Sequence, residues 1–306
     1  MRAFDDEGGS SAEPTVRQGP LVRARDLVSA AGGSLGFEHA AAYYDETRGL
    51  SPEVQNATAR MLATELRGAT SVLEVGAGTG LIAVPLACEG VRMVALDLSP
   101  AMLQRLSHRA QLEGALVPVL VGDAIRLPFP DDSFDGVVMR HVLHLIHDWK
   151  QALSESIRVL RPDGRFIVSI SDYTGLYRAL QERFLHEAGD LPLAVGLRPD
   201  DPDALEIAMA AIGATGGAPL VVRGRRTLTI EAFLRNMARG VYTWTWAARP
   251  HTRRRAVARV RRWARAEFGE LDRPVEPDFE IEWRVFCVDR APRQDDGRAV
   301  GILTGP

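Results

Sequence analysis

Short apolar runs alternate with helix-length segments through the middle of the chain. Four of these runs end in glycine, aspartate or arginine, and they lie at residues 72–80, 91–97, 117–123 and 134–140. Each has the length of a buried strand, whereas the segment from Ser51 to Gly68 spaces its apolar residues as a helix with one buried face does. This alternation predicts an α/β protein in which a parallel sheet carries helices on both faces.

The second half of the chain continues the alternation less regularly. Residues 158–166 introduce a fifth strand. Beyond it we predict helices at 175–188, 203–212, 231–238 and 252–268, a sixth strand at 220–229 and a final strand at 279–288. The stretch between these two strands is longer than a minimal sheet core needs, so residues 231–275 are predicted to form a helical cap over a substrate site. The other predicted segments are a mobile tail rich in Gly, Ser and Ala at 1–35, a core at 36–171, helices with the sixth strand at 172–230, and the final strand with a tail at 276–306.

The first apolar run ends in an acidic residue followed by glycines at alternate positions, Glu74-x-Gly76-x-Gly78-x-Gly80. Glycine is needed where the backbone takes a positive φ, or where a ligand lies directly against the main chain. A helix that starts near Gly80 would present free N–H groups to that ligand. The dinucleotide pattern G-x-G-x-x-G needs a third glycine where this chain has Leu81, so the spacing favours a different adenosine cofactor.

This motif resembles the first motif of the class I S-adenosylmethionine-dependent methyltransferases, and later features follow in the order of that family. Those features are Asp97, the helix start Ser99-Pro100, Gly122-Asp123-Ala124 and the segment Arg140–His144. The resemblance is closest over residues 40–170. It implies a Rossmann-like fold with a seven-stranded, mostly parallel sheet whose last strand is antiparallel. It also implies S-adenosyl-L-methionine as methyl donor and S-adenosyl-L-homocysteine as product.

The resemblance further implies which residues bind the cofactor, namely Tyr44, Glu74, Gly76, Ala77, Gly78, Gly80, Asp97, Leu98, Met102, Asp123, Ala124 and Arg140. A carboxylate about 20 residues beyond the first glycine can accept both ribose hydroxyls, which is the role expected of Asp97. The resemblance gives Asp123 the adenine amino group. The alternative interpretation of Asp97 is a helix-capping or turn carboxylate, and that of Asp123 is a turn residue before a loop rich in proline and aspartate. Aromatic packing of an N-terminal helix is the alternative for Tyr44.

Methyl transfer from a sulfonium requires above all that the acceptor be aligned with the methyl carbon. A general base helps when the acceptor is a hydroxyl or an acidic carbon. Because the acceptor should sit beside the segment after the fourth strand, we predict that His141 or His144 is that base. A hydrogen-bonded structural histidine is the alternative for each, and His147 is predicted to cap the next helix or to be exposed.

Composition restricts the cellular setting and the partners. No apolar run approaches the ~20 residues of a membrane helix, and the N-terminal residues do not have the pattern of a signal sequence, so we expect a cytoplasmic protein without a membrane partner. Cys88 and Cys287 are predicted to be buried reduced thiols, and no metal site is expected. A net charge of -3 argues against a nucleic-acid partner. A homodimer is compatible with the sequence.

These observations predict an enzyme that methylates a small, largely apolar specialised metabolite, with Trp244 and Trp246 either lining the acceptor pocket or packing in a core. Two other functions stay open. The arginine-rich helix at 252–268 could bind an RNA backbone, although its apolar positions equally fit an amphipathic helix with a solvated cationic face. The glycine motif indicates binding and not turnover, so a cyclase or binding protein that keeps the methyl group on the cofactor is the third hypothesis.

Overall fold

The structure, a computed structural model, describes residues 44–170, 175–191, 194–199, 201–225 and 227–288. The predicted mobile tail at 1–35 and the end of the last predicted segment lie outside these residues. Within the described ranges, no helix is both long enough and apolar enough to cross a membrane.

One central sheet organises the fold. The described strands are β1 (Val72–Val75), β2 (Met93–Asp97), β3 (Val119–Val121), β4 (Phe134–Arg140), β5 (Leu160–Ser169), β6 (Ala214–Gly216), β7 (Leu220–Arg225), β8 (Leu228–Thr229), β9 (Pro274–Val275) and β10 (Asp278–Val288). The sheet order is β3-β2-β1-β4-β5-β10-β6, with β7 paired to the first half of β10. Strands β1 to β5 pair in parallel, whereas β10 is antiparallel to β5, β6 and β7. The predicted mostly parallel sheet with an antiparallel final strand is confirmed.

The predicted sixth strand was misplaced. We expected it at 220–229, but the sixth strand along the chain is β6, which lies at the edge of the sheet and pairs with the end of β10. The apolar residues at 220–225 form β7 instead, and 228–229 form β8, which pairs with β9. The reason is the length of β10, whose eleven residues accommodate β7 along the first half and β6 along the second. The Ala-Thr-Gly sequence of β6 has almost no apolar signal of its own.

The predicted helices are present with small shifts in their ends. The described α-helices are α1 (Tyr44–Arg48), α2 (Pro52–Glu65), α3 (Ala83–Cys88), α4 (Pro100–Glu113), α5 (Trp149–Arg158), α6 (Gly175–Glu187), α7 (Pro202–Ala211), α8 (Ile230–Arg239) and α9 (Pro250–Phe268). Ser99 caps α4 as predicted, because its side chain accepts the N–H of Met102 at 3.3 Å. Ser51 caps α2 in the same way.

Helices cover both faces of the sheet. Along β4, Val137 and Met139 pack into a core that includes α5 and α7, whereas Val138 between them packs on the opposite side with α2, α3 and α4. The alternation of side chains along a strand produces these two layers. The predicted helices on both faces are therefore confirmed.

A third core lies in the predicted cap and requires a change to its boundary. Helix α6, which we assigned to the 172–230 segment, packs with α8 and α9 and not with the sheet. It does so because its buried face carries Tyr177, Leu180 and Phe184, which join an aromatic cluster with Phe233 and Trp244. Helix α7, from the same predicted segment, packs on the sheet core. The helices that correspond to the predicted cap, α6, α8 and α9, thus share one core of their own.

The prediction of two buried thiols was wrong. Cys88 and Cys287 are both free and exposed. Cys88 is the last residue of α3, and Cys287 lies between Phe286 and Val288, whose side chains are buried on the other face of β10. Cys287 shares its face of β10 with the buried Val285, but it stands at the end of the strand, where that face is exposed.

Candidate active site

A cavity lies where β1, β2 and β4 reach their carboxyl ends, the place at which parallel sheets bind ligands. It contains about 640 Å³ of empty space, part of which is open to solvent. The predicted residues that line it are Tyr44, Gly76, Gly78, Asp97, Leu98, Met102, Asp123, Ala124, Arg140 and His141. The predicted residues outside its lining are Glu74, Ala77, Gly80 and His144. Sequence reasoning missed five further lining residues that adjoin predicted ones, Leu96, Gly122, Val142, Leu145 and Ile146.

The three glycines of the loop after β1 serve different purposes. All have positive φ, at 73°, 54° and 80° for Gly76, Gly78 and Gly80. A Cβ on Gly76 would lie 2.5 Å from Val142 and one on Gly80 would lie 2.7 Å from Leu106, so these two glycines permit close packing within the protein. A Cβ on Gly78 would meet nothing nearer than Tyr44, at 4.0 Å. Gly78 is therefore the glycine that leaves room for a ligand.

Asp97 ends β2 and ties two backbone segments together at the cavity. Its Oδ2 accepts the N–H of Gly78 at 2.8 Å, and its Oδ1 accepts the N–H of Ser99 at 2.9 Å. Asp97 therefore acts in part as a turn carboxylate, which was the alternative interpretation. Each carboxylate oxygen can accept a second hydrogen bond, so Asp97 can also bind hydroxyls in the cavity that it lines.

Asp123 provides an acceptor that the described part of the protein does not satisfy. Its Oδ1 accepts the N–H of Ile125 at 3.3 Å, whereas Oδ2 is buried without a hydrogen-bond partner among the described residues. Buried polar atoms are nearly always hydrogen-bonded in native proteins, so an unsatisfied one in a cavity wall indicates a ligand group. An amino group such as that of adenine would satisfy it. With the space beside Gly78, this observation shows that the residues present fit S-adenosylmethionine.

Glu74 is buried behind the glycine loop and does not line the cavity. The side chain is only 2% exposed, and its Oε2 accepts the N–H of Ala83 at 2.8 Å. Burial raises the pKa of Glu74 to about 8, although the bond from Ala83 and the charge of Arg140 act in the opposite direction. Helix α3 begins at Ala83, close to the expected start near Gly80, and the N–H of Val84 donates to the carbonyl of Gly80 at 3.3 Å. The N–H of Ala83 is taken up by Glu74 and is not presented to a ligand.

His141 is the predicted histidine that reaches the cavity. It follows β4 with φ of 52°, a conformation that is costly for a non-glycine residue and is concentrated at functional sites. Its N–H donates to the carbonyl of Ser169 at 3.1 Å, at the end of β5. His144 lies beside it, with ring centroids 6.0 Å apart and the planes at 83°. The segment from Leu143 to Leu145 is a 3-10 turn, so His141 lies before this turn and His144 within it.

The residue that caps the N-terminus of α5 is an aspartate. Asp148, and not His147, caps α5, since its side chain accepts the N–H of Gln151 at 3.3 Å. His147 is exposed, which was one of the two predicted alternatives for this residue.

A loop that the sequence did not point to fixes the histidine turn from outside. The N–H groups of Val195 and Gly196 both donate to the carbonyl of His144, and Leu197 donates to that of Leu143. A Cβ on Gly196 would collide with the carbonyl oxygens of Leu143 and Ile146. Only glycine therefore permits this approach. Gly196 itself was the feature of the sequence that could have pointed to this loop.

The aromatic residues of the cap divide between two environments. Trp244 is buried in the cap core, where it stacks on Tyr242 at 5.2 Å between ring centroids. Trp246 donates through Nε1 to the carbonyl of Gly240 and packs with Tyr44 and Met102 beside the cavity. Neither tryptophan lines the cavity itself.

Helix α9 uses part of its arginine content inside the cap. Arg253 donates to the carbonyl of Ala238, and Arg261 forms a bidentate pair with Glu231. The arginines that are exposed and form no salt bridge with another described residue are Arg254, Arg255, Arg262 and Arg265. Val257 and Val260 face the cap core. This distribution is that of an amphipathic helix.

Comparison with known proteins identifies relatives of this chain. Residues 73–168 match the family model described as a methyltransferase domain. A demethylmenaquinone methyltransferase from Corynebacterium efficiens is 41% identical over 105 residues, which are 34% of this chain and 43% of that protein. The chain thus spans less than half the length of that relative. A demethylmenaquinone methyltransferase from Renibacterium salmoninarum is 33% identical over 173 residues, which are 55% of this chain and 70% of that protein.

The fold has a counterpart among solved structures. The YcgJ protein from Bacillus subtilis superimposes with a TM-score of 0.55 at 22% identity, over 78% of this chain and 99% of that one. At 22% identity this similarity shows a shared fold only.

Proposed function

The chain belongs to the class I S-adenosylmethionine-dependent methyltransferases, and we propose that it transfers the methyl group of this cofactor to a small, largely apolar acceptor. The supporting observation is the convergence of Gly78, Asp97, Asp123 and His141 on one cavity at the strand ends. When bound, S-adenosyl-L-methionine supplies a methyl group on a sulfonium sulfur and leaves as S-adenosyl-L-homocysteine.

In this proposal different residues around the cavity bind different parts of the cofactor. Asp97 accepts the ribose hydroxyls, and the buried Oδ2 of Asp123 accepts the adenine amino group. The bare backbone at Gly78 admits the ligand against the main chain. Tyr44 presents an aromatic face, which favours a nearby sulfonium by about 0.5 to 2 kcal/mol.

His141 is the proposed general base. It lines the cavity, and its backbone is held by the bond to Ser169. In this role an imidazole nitrogen takes the proton from the acceptor hydroxyl or acidic carbon as the new bond to the methyl carbon forms. Alignment of acceptor and methyl group contributes the larger share of the acceleration, about 7 to 11 kcal/mol for well-oriented groups. The turn at Leu143–Leu145, which follows His141, is held by the bond from the N–H of Gly196 to the carbonyl of His144.

The acceptor is proposed from chemistry and from the relatives together. Two relatives are named demethylmenaquinone methyltransferases, so a quinone-type ring is the first acceptor to test on this chain. The cap formed by α6, α8 and α9 covers the acceptor in this proposal, with Trp246 nearest the cavity. We further propose a cytoplasmic protein without a nucleic-acid partner, with a homodimer as the assembly to test.

The experiment combines the purified chain with S-adenosyl-L-methionine and either reduced demethylmenaquinone or an extract of the producing cells. Release of S-adenosyl-L-homocysteine together with a product heavier by one methyl group is the expected result. Cofactor binding without any such release would favour the binding-protein or cyclase hypothesis. Turnover with RNA alone would favour the RNA-directed hypothesis.

A further inference from the structure

The short helix α1 borders the cavity, and its position depends on the rest of the chain. A helix of five residues is too short to be stable in isolation. Tyr44, its first residue, lines the cavity and comes within 4.0 Å of the point where a Cβ on Gly78 would lie. Any contact that holds α1 in place therefore also holds an aromatic wall of the cofactor site.

The second residue of α1 bonds to two other elements. Oδ1 of Asp45 accepts the hydroxyl of Thr79 at 2.5 Å, and Thr79 stands between the last two glycines of the loop. Oδ2 of Asp45 lies 2.9 Å from Nη2 of Arg109 on α4. One carboxylate thus joins α1, the glycine loop and α4.

The surroundings of these bonds shield them in part from water. Thr79 is 1% exposed, and the side chains of Asp45 and Arg109 are 33% and 22% exposed. Partial shielding from water reduces the screening of the charges, and the bond from the hydroxyl to a carboxylate is charge-assisted. Neither Thr79 nor Asp45 lines the cavity, so both act on the ligand through their neighbours.

We propose that Asp45 is a positioning residue that holds Tyr44 over the bound nucleoside and thereby slows its release. Loss of the Asp45 bonds frees α1 to move away from the glycine loop, and the nucleoside then leaves faster. The inference rests on the proposed function only in so far as the cavity binds S-adenosyl-L-methionine and S-adenosyl-L-homocysteine.

The test measures the dissociation rate of S-adenosyl-L-homocysteine from the full chain by stopped-flow displacement, because this probe needs no methyl acceptor. Asp45→Ala removes both bonds, and Thr79→Val removes the hydroxyl at nearly constant volume. Thr79→Val is expected to speed release about three- to tenfold, the range that one hydrogen bond supplies, and Asp45→Ala by at least as much, because it also loses the ion pair with Arg109. The double variant should release no faster than Asp45→Ala, since the shared bond is already lost.

A matched variant separates this role from packing. Thr79→Ser keeps the hydroxyl and loses a methyl group, so it is expected to retain the wild-type rate. If Thr79 acted only by filling space, Thr79→Ser would be the more damaging change, because it leaves a small cavity. That ranking would overturn the inference.

A second control tests whether any lost ion pair has the same effect. Asp278→Asn removes a carboxylate that pairs with Arg225 at 2.9 Å on exposed strands, and it should leave the release rate unchanged. Wild-type rates in both Asp45→Ala and Thr79→Val would overturn the inference while leaving the proposed function intact. A wild-type chain that does not bind the probe would contradict the proposed function and the inference together.

Discussion

Asp97 accepts the backbone N–H of Gly78 through Oδ2 at 2.8 Å, and this bond joins the end of β2 to the glycine loop after β1. Its other oxygen accepts the N–H of Ser99 at the start of α4. The carboxylate proposed for the ribose and the backbone proposed to face the ligand therefore cannot shift independently.

Replacing Asp97 by Ala should weaken S-adenosyl-L-methionine binding by about tenfold or more, because hydrogen bonds to a charged group contribute about 1.5 to 3 kcal/mol. Asp97→Asn retains one acceptor oxygen and should lose less. Isothermal titration calorimetry measures both affinities. An unchanged affinity in Asp97→Ala would remove this residue from the proposed site.

Alanine at two neighbouring glycines should have different consequences. Gly78→Ala places a methyl group in the cavity and costs about 1 to 2 kcal/mol of stability for the left-handed backbone, so the main loss should be in cofactor affinity. Gly76→Ala carries the same backbone cost and also clashes with Val142, so it should lose more stability. Urea unfolding without ligand, followed by calorimetry, separates the two effects. Equal stability losses would show that Gly78 also serves packing.

Removal of the proposed base should lower turnover and not binding. His141→Ala is expected to slow methyl transfer about a hundredfold to ten-thousandfold while cofactor affinity changes little. His144→Ala is the matched control, since its ring lies beside His141 but outside the cavity lining, and a smaller loss is expected. Single-turnover rates with saturating cofactor make the comparison. Equal losses in the two variants would favour a structural role for the histidine pair.

The buried carboxyl of Glu74 should make stability depend on pH. Its pKa is about 8 in the folded chain, against an ordinary value of 4.5, so between these values the folded state binds more protons than the unfolded state. The free energy of unfolding contributed by this group therefore falls as pH rises from about 4.5 to about 8. Glu74→Gln removes the titration and should flatten the fall. Urea unfolding of both proteins at about pH 5 and pH 8 is the measurement, and identical slopes would contradict the assignment.

The exposed arginines of α9 test the RNA-directed hypothesis. Replacing Arg254, Arg255, Arg262 and Arg265 by Gln should leave methyl transfer to the small acceptor unchanged, since none lines the cavity. RNA affinity of the wild type, measured by filter binding at two salt concentrations, is expected to be weak. Strong, salt-dependent RNA binding that the variant loses would contradict the proposed absence of a nucleic-acid partner.

The order of the elements followed from the chain because its signals are local. Strand runs, helix spacing and the caps at Ser51 and Ser99 depend on residues within a few positions of one another. The sixth strand did not follow, because β6 is stabilised by its pairing with β10 and has little apolar character of its own.

The sequence by itself determined the α/β class, the glycine loop and the carboxylates that follow the strands, since each is a pattern of neighbours along the chain. Only the tertiary structure decided that a Cβ on Gly78 would meet open space while one on Gly76 or Gly80 would meet a side chain. It also decided that His141 lines the cavity while His144 does not. It also brought Asp45 to Thr79 and to Arg109. These relationships join residues that are distant in the chain, so they depend on packing, and no local pattern encodes them.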